Sequence, residues 1–227
     1  MIGTALIDAD VLAYRLGFAC KDETEEKAAS SLSSSLETII YSSLDVNHYE
    51  LFLTGKNNFR YEYAKTAKYK ENRADYEKPL HLGFLRQYMV DAWGATVSEG
   101  EEADDLIAIR ATELGDDSII VSIDKDFNQV QGWHYNFVKN NKYYVTAEEG
   151  LRFFYKQILT GDKADNIVGI HGVGEVKATK MLSKATTEEE LYAVCVEALG
   201  EERVLENGRL LWLRREKNQL WFPPSSD

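Results

Sequence analysis

The chain has 227 residues, 44% of them apolar and 28% charged, a composition that supports a packed core in one large domain or two small ones and excludes a largely disordered protein. A formal net charge of −12 argues by itself against a nucleic-acid partner, since phosphate binding leaves a basic footprint, unless the acids are gathered as metal ligands and the basic residues collect elsewhere. Only Cys20 and Cys195 are present, the start MIGTALIDAD lacks a signal-peptide pattern, and no apolar run reaches membrane-spanning length; the expectation is a cytoplasmic protein without disulfides or a zinc ribbon.

In chain order, residues 4–7 read as a short apolar strand running into Asp8, with Asp10 two positions on and an apolar helix or turn over 11–18. The serine-rich stretch near 30–35 keeps Leu32, Leu36, Ile39, Ile40 and Leu44 at helical spacing, which predicts an amphipathic helix with a solvated serine face. Residues 49–53 form a second buried strand closing at Thr54 and Gly55. Residues 56–80 then change character: Lys56, Arg60, Lys65, Lys68, Lys70, Arg73 and Lys78 alternate with Phe59, Tyr61, Tyr63, Tyr69 and Tyr76, without an aliphatic stripe. Two readings stand side by side here, a solvated helix with tyrosines lying on the body, or a surface that gathers phosphates and offers aromatic faces to unstacked bases.

A helix over 80–93 and a strand over 95–98 lead into EGEEADDLIAIRATELGDDSIIVSIDKD at 99–126. Helical spacing over 106–114 puts Glu102, Asp104 and Asp105 at a helix N-terminus, where acids complement the macrodipole. The run 118–123 has the length and β-branching of a buried parallel strand, so Asp124 and Asp126 stand at its carboxyl end, the edge at which open α/β sheets bind ligands. Five acids converging from two elements exceed what capping needs. Like charges that close raise one another's pKa unless a cation sits between them, and hard oxygen donors in that number suit Mg²⁺ or Mn²⁺.

Beyond this centre, 133–138 and 143–145 read as a hairpin and 147–159 as a helix. The glycines of GIHGVG at 169–174 lack the GK[ST] ending of a P-loop and read as a tight turn between helices at 165–168 and 175–182. Amides at the second helix's N-terminus, around Gly172 and Gly174, are suited to hold a phosphate with Lys177 and Lys180 behind; the alternative is a plain αα-hairpin. His48, His81, His134 and His171 fall at no metal-ligand spacing and read as surface or locally satisfied residues.

Asp8 after the first strand, EADD at 102–105, DKD at 124–126, and GDxxDN followed by GIxGVG at 161–174 occur in the order seen in the flap endonuclease and 5′→3′ exonuclease family of the PIN-like nucleases, which the chain resembles over residues 6–182, the phage and bacterial members most closely. The resemblance implies a two-metal site of Asp8, Glu102, Asp104, Asp105, Asp124, Asp126, Asp162 and Asp165 holding two Mg²⁺, with Mn²⁺ able to substitute and a K⁺ at the helix-hairpin-helix. YKENR at 69–73 is similar to the family's helical-arch motif, making Lys70 and Arg73 the catalytic cations and Arg60, Lys65, Lys68 and Tyr69 further DNA contacts. Thr54 departs from the pattern, since many members carry an acid there. The expected fold is a single α/β nuclease domain over 1–227, with a mainly parallel central sheet flanked by helices, an arch at about 56–80 and a helix-hairpin-helix at about 161–183.

The implied function is hydrolysis of DNA near 5′ ends, flaps or junctions, RNA/DNA hybrid included, by a monomer. Its rivals are a PIN-type ribonuclease and a non-catalytic DNA-binding module. Residues 184–227 match no pattern, and Leu210 to Leu213 read as core.

Overall fold

Strand β1 (Thr4–Asp8) is apolar along its length and lies at the middle of a six-stranded sheet in a computed structural model that describes residues 2–74 and 76–225. It pairs in parallel with β2 (His48–Lys56) on one side and with β4 (Ser118–Val121) on the other. β3 (Thr96–Glu99) extends the sheet beyond β2, while β5 (Gly132–Asn136) and the antiparallel β6 (Asn141–Val145) extend it beyond β4. The order β3-β2-β1-β4-β5-β6 makes the chain step outward from β1 in one direction and then return to its other side. In open α/β sheets ligands bind at such a reversal, here at the carboxyl ends of β1 and β4.

Side chains alternate across each strand, so Ala5 and Ile7 of β1 enter a cluster with Leu12, Ala13, Leu32, Leu36, Leu85 and Met89, from helices α1 (Ala9–Ala19), α2 (Glu25–Glu37) and α4 (Leu82–Trp93). Each fully buried Leu contributes roughly 2 kcal/mol of transfer free energy. Helix α5 (Ala103–Leu114) packs against β1, β2 and β4 through Ala103, Ile107, Ala108 and Ala111. The serine face of α2 is helical as expected, and the chain continues from it as a wider π-helical turn over Thr38–Leu44. His81 and His134 are each satisfied by a backbone carbonyl, of Glu23 and Val130 respectively.

Where the sequence reading treats 1–227 as one domain, packing separates two compact units: one of residues up to Asn58 with Glu77–Val145, the other of Phe59–Tyr76 with the chain from Thr146 onward. The second unit has its own core, built from α6 (Ala147–Thr160), α7 (Glu175–Leu182), α8 (Glu188–Leu199) and α9 (Glu201–Leu211) around Phe154, Tyr155, Ile158, Leu182, Cys195, Val204 and Trp221. Capping boxes start α6 at Thr146 with Glu149 and α8 at Thr187 with Glu190. Leu210, Leu211 and Leu213 are buried, which places this part of the unmatched C-terminal segment in the core. Among its described residues, the basic stretch holds the short helix α3 (Arg60–Tyr63) and a 3₁₀ turn at Glu71–Arg73, and no long helix.

Candidate active site

In the first unit, β1 delivers Asp8 to the carboxyl edge, where its Oδ1 accepts from the Val11 amide at 3.2 Å and its Oδ2 from the Ser122 hydroxyl at 2.8 Å. Asp8 is 2% exposed. Burial is the largest cause that pushes its carboxyl up to about 7; the charges of Asp10 and Asp124 add to the rise, and the Ser122 and Val11 hydrogen bonds oppose it. Ser122 Oγ in turn accepts from the Asp124 amide at 3.0 Å, and Asp124 Oδ1 accepts from the Asp126 amide at 2.9 Å. One hydroxyl therefore ties the end of β1 to the loop after β4, donating to the Asp8 carboxylate on one side and accepting from the Asp124 backbone amide on the other.

Glu102 and Asp105 form a capping box at the start of α5, the Asp105 Oδ2 accepting from the Glu102 amide at 3.1 Å. Both are buried, and Asp104 is half-buried on the same turn. Thr54, the residue that departs from the family pattern, has its hydroxyl committed to the α5 N-terminus, accepting from the Ala103 amide at 3.0 Å. The Thr54 amide donates to Asp10 Oδ2 at 2.7 Å, and Arg86 bridges Asp10 Oδ1 and the Thr54 carbonyl. Asp10, Arg86 and Ser122 were beyond sequence reasoning because the hydrogen bonds that join them span 32 to 114 residues.

Among the described residues, no three acid, His or Cys side chains already stand as a cage for a metal ion. The donor set nevertheless fits a hard divalent cation: it is all carboxylate, partly buried, and carries an acid whose ionisation is suppressed by burial and by its neighbours' negative charge.

The second unit holds the other sequence-assigned residues, and two assignments need correction. Arg60 is 1% exposed and donates through Nε to the Leu210 carbonyl and through Nη2 to the Trp212 carbonyl, both at 2.8 Å, so it is a core residue and not a phosphate contact. Tyr69 is 3% exposed with its hydroxyl donating to Asp165 Oδ2 at 2.9 Å, which removes it as a stacking platform. Lys65 and Lys68 are exposed as expected. Lys70 and Arg73 both pair with Asp165, and Asp162, which is buried, accepts from the Ala164 amide at 2.7 Å.

The helix expected at 165–168 is instead a turn leading into a two-stranded ribbon, β7 (Gly161–Asp162) with β8 (Ile167–Val168). A short ribbon satisfies the backbone where the chain must reverse tightly after α6. A Cβ on Gly169 would meet the Thr160 carbonyl carbon at 2.1 Å, so that position requires glycine for close approach. Gly172 requires it for its φ of +73°, whereas Gly174 serves as the N-cap of α7 at an ordinary φ of −101°. Lys177 and Lys180 are exposed, and Lys177 Nζ donates to the Gly172 carbonyl at 2.7 Å.

Strand order and the acids at the carboxyl edge define a mostly parallel α/β fold with its candidate site at the strand ends. The chain belongs to the family described as 5′-3′ exonuclease, N-terminal resolvase-like domain, whose profile matches residues 3–158. It is 30% identical over 173 residues to flap endonuclease Xni of Shewanella piezotolerans, covering 68% of this chain and 67% of that one. It is 28% identical to the 5′-3′ exonuclease of Mycoplasma genitalium, covering 82% of this chain and 74% of the relative. DNA polymerase I of Bacillus caldotenax is 31% identical over 87% of this chain, which spans only 25% of that relative's length.

Among solved structures, the phage T5 D15 protein co-crystallised with metal ions superposes with a TM-score of 0.71 at 19% identity, covering 90% of this chain and 87% of that one. The catalytic core of Rad2 in complex with DNA substrate gives 0.57 at 15% identity, covering 83% and 62%. At these identities the likenesses show the fold. Among the described residues no helix is long and apolar enough to cross a membrane.

Proposed function

We propose that this chain is a divalent-metal-dependent 5′ nuclease that hydrolyses DNA phosphodiesters near 5′ ends, flaps and single-strand/duplex junctions, with RNA/DNA hybrid a further substrate. One observation carries the reading: at the switch point of a sheet that the family profile spans, Asp8 and Asp124 are held on either side of Ser122. Ionised carboxylates gathered in a low-dielectric crevice are costly without a cation, and a divalent ion is the cation their oxygens suit.

Asp8, Glu102, Asp104, Asp105, Asp124 and Asp126 are the residues we assign to hold Mg²⁺, or Mn²⁺ in its place. Such ions, when bound, supply a nucleophilic water at neutral pH and neutralise charge developing on the phosphate oxygens, typically as a pair ~4 Å apart. The chain's own part is to keep the donors in place. Ser122 fixes Asp8 against Asp124, and Thr54 with the Glu102–Asp105 box fixes the first turn of α5. In the second unit the α7 N-terminus with Lys177 and Lys180 offers amides and cations to duplex backbone without reading sequence. Lys65, Lys68, Lys70 and Arg73 offer charge to further phosphates. A cytoplasmic monomer fits two buried free cysteines.

The test is incubation with 5′-labelled flap DNA and with the matching single-stranded RNA, in Mg²⁺ and in chelator. Metal-dependent cuts near the flap junction are expected. Cleavage of RNA alone would assign a PIN-type ribonuclease, and binding without cleavage would assign a DNA-binding module.

A further inference from the structure

The segment after α9 closes over α3 through aromatic rings and guanidinium groups. Arg214 Cζ lies 3.7 Å from the centre of the Phe59 ring, Phe59 meets Tyr63 edge-on at 6.3 Å, and Arg209 Cζ lies 5.1 Å from the Tyr63 ring and 5.3 Å from the Phe222 ring. This alternation of cation and ring ends at the surface, where Phe222 is 64% exposed. Its place is fixed from inside. Trp221 beside it is buried against Phe154, Tyr155 and Tyr192, and packs so closely on α9 that a Cβ on Gly208 would come within 2.2 Å of the indole.

Arg209 is the unusual member. Its contacts are the two rings; among the described residues it has no hydrogen bond or ion pair, and its Nε is closed off from solvent. Glu206, one helical turn earlier, is taken: its carboxylate accepts from the Lys65 amide at 2.8 Å and from the Thr66 amide and hydroxyl at 2.7 Å each. A guanidinium donor shut away without an acceptor costs free energy, which ring contacts offset only in part. A staple that served only to close this segment over α3 would bury the Phe222 ring and pair the arginine.

We propose that Arg209 and Phe222 form a binding site for one nucleotide of an unpaired nucleic-acid strand, the guanidinium taking the phosphate and the exposed ring stacking on the base. A guanidinium resting on rings keeps its N–H edge for an anion with two acceptor oxygens, as phosphate has. Every base has a π-face that an exposed ring can cover, so the site accepts an unpaired base without reading it. A duplex presents the phosphate but keeps its bases stacked on one another, and engages the site only in part. Lys65 is exposed and its amide is fastened to Glu206, which tethers a second cation beside the same stretch of α9. Arg209 and Phe222 lie beyond residues 3–158, the span of the family profile. The identity of the ligand rests on the nuclease function proposed above.

The test is fluorescence anisotropy with the full chain in chelator, using a labelled oligothymidylate and a blunt duplex. Phe222→Ala should weaken single-strand binding about tenfold and leave duplex binding nearly unchanged. Phe222→Trp should restore the affinity and lose fluorescence as the strand binds, which a merely structural ring would not do. Arg209→Gln should reduce the slope of log affinity against log salt by about 0.7, the share of one phosphate on a single strand. Because Phe222 is largely exposed, its arm stands even where Arg209→Gln lowers the urea midpoint. A wild-type chain that does not bind the single strand, Phe222→Ala binding it as tightly as wild type, or an unchanged salt slope in Arg209→Gln would overturn the site. If the variants behave as expected while the wild type cuts no flap DNA in Mg²⁺, the nuclease assignment falls and the site stands.

Discussion

Asp8 shows how one buried carboxyl couples the fold to its chemistry. Unfolded it ionises near 3.8 and folded near 7, so between those values the folded state keeps a proton the unfolded chain has lost. Stability therefore falls as pH rises through this window, by up to roughly 4 kcal/mol above it. In chelator, Asp8→Asn should gain stability over wild type as pH goes from 5 to 8, measured by urea midpoints; parallel profiles would show that Asp8 ionises normally.

Arg60 makes the opposite point, because a cation from the most basic stretch of the chain is spent on core carbonyls. Arg60→Ala should cost about 3 kcal/mol, from a cavity and two carbonyls left without those donors, while DNA affinity of the folded protein stays unchanged. Urea unfolding beside a DNA titration separates the two effects.

At the scale of elements, the ends of helices and strands matter more than their middles. The glycine turn before α7 illustrates this: Gly172 occupies left-handed space, while a Cβ on Gly174 would meet nothing within 4 Å. Gly172→Ala should cost about 1 kcal/mol in the turn and weaken duplex binding about fivefold across sequences, whereas Gly174→Ala should change binding little. Fluorescence anisotropy with duplex and with single-stranded DNA measures both, and unchanged duplex binding in the two variants would show that the turn tolerates side chains throughout. The strands, α5 and the hairpin β5–β6 were legible as period and apolar runs, because burial on both faces of a parallel sheet writes itself into contiguous sequence. The ribbon β7–β8 was not, since two-residue strands are too short to show any period.

For the whole molecule, a net charge of −12 sets self-repulsion against compactness, and the acids at the carboxyl edge concentrate it. A cation that binds only the folded state stabilises by mass action, which ionic strength alone does not do. Millimolar Mg²⁺ should therefore raise Tm by several degrees more than NaCl at matched ionic strength, and chelator should reverse the gain. Equal shifts with the two salts would mean simple screening.

By itself the sequence determined the parallel sheet and the acids at its carboxyl edge, because an apolar run followed by Asp states both the buried strand and the place where it opens. The family motifs determined which turn carries the glycines. Only the tertiary structure decided which basic and aromatic residues are available to a ligand. Arg60 and Tyr69 have the same local surroundings in sequence as Lys65 and Lys68, yet their partners lie 150 and 96 residues away in α9 and beside the ribbon. A side chain's exposure depends on what distant chain packs against it, and no local period encodes that. The same holds for Thr54, whose hydroxyl is taken by α5 and whose backbone is taken by Asp10 and Arg86, a set of contacts that exists only once β2, α1, α4 and α5 have met.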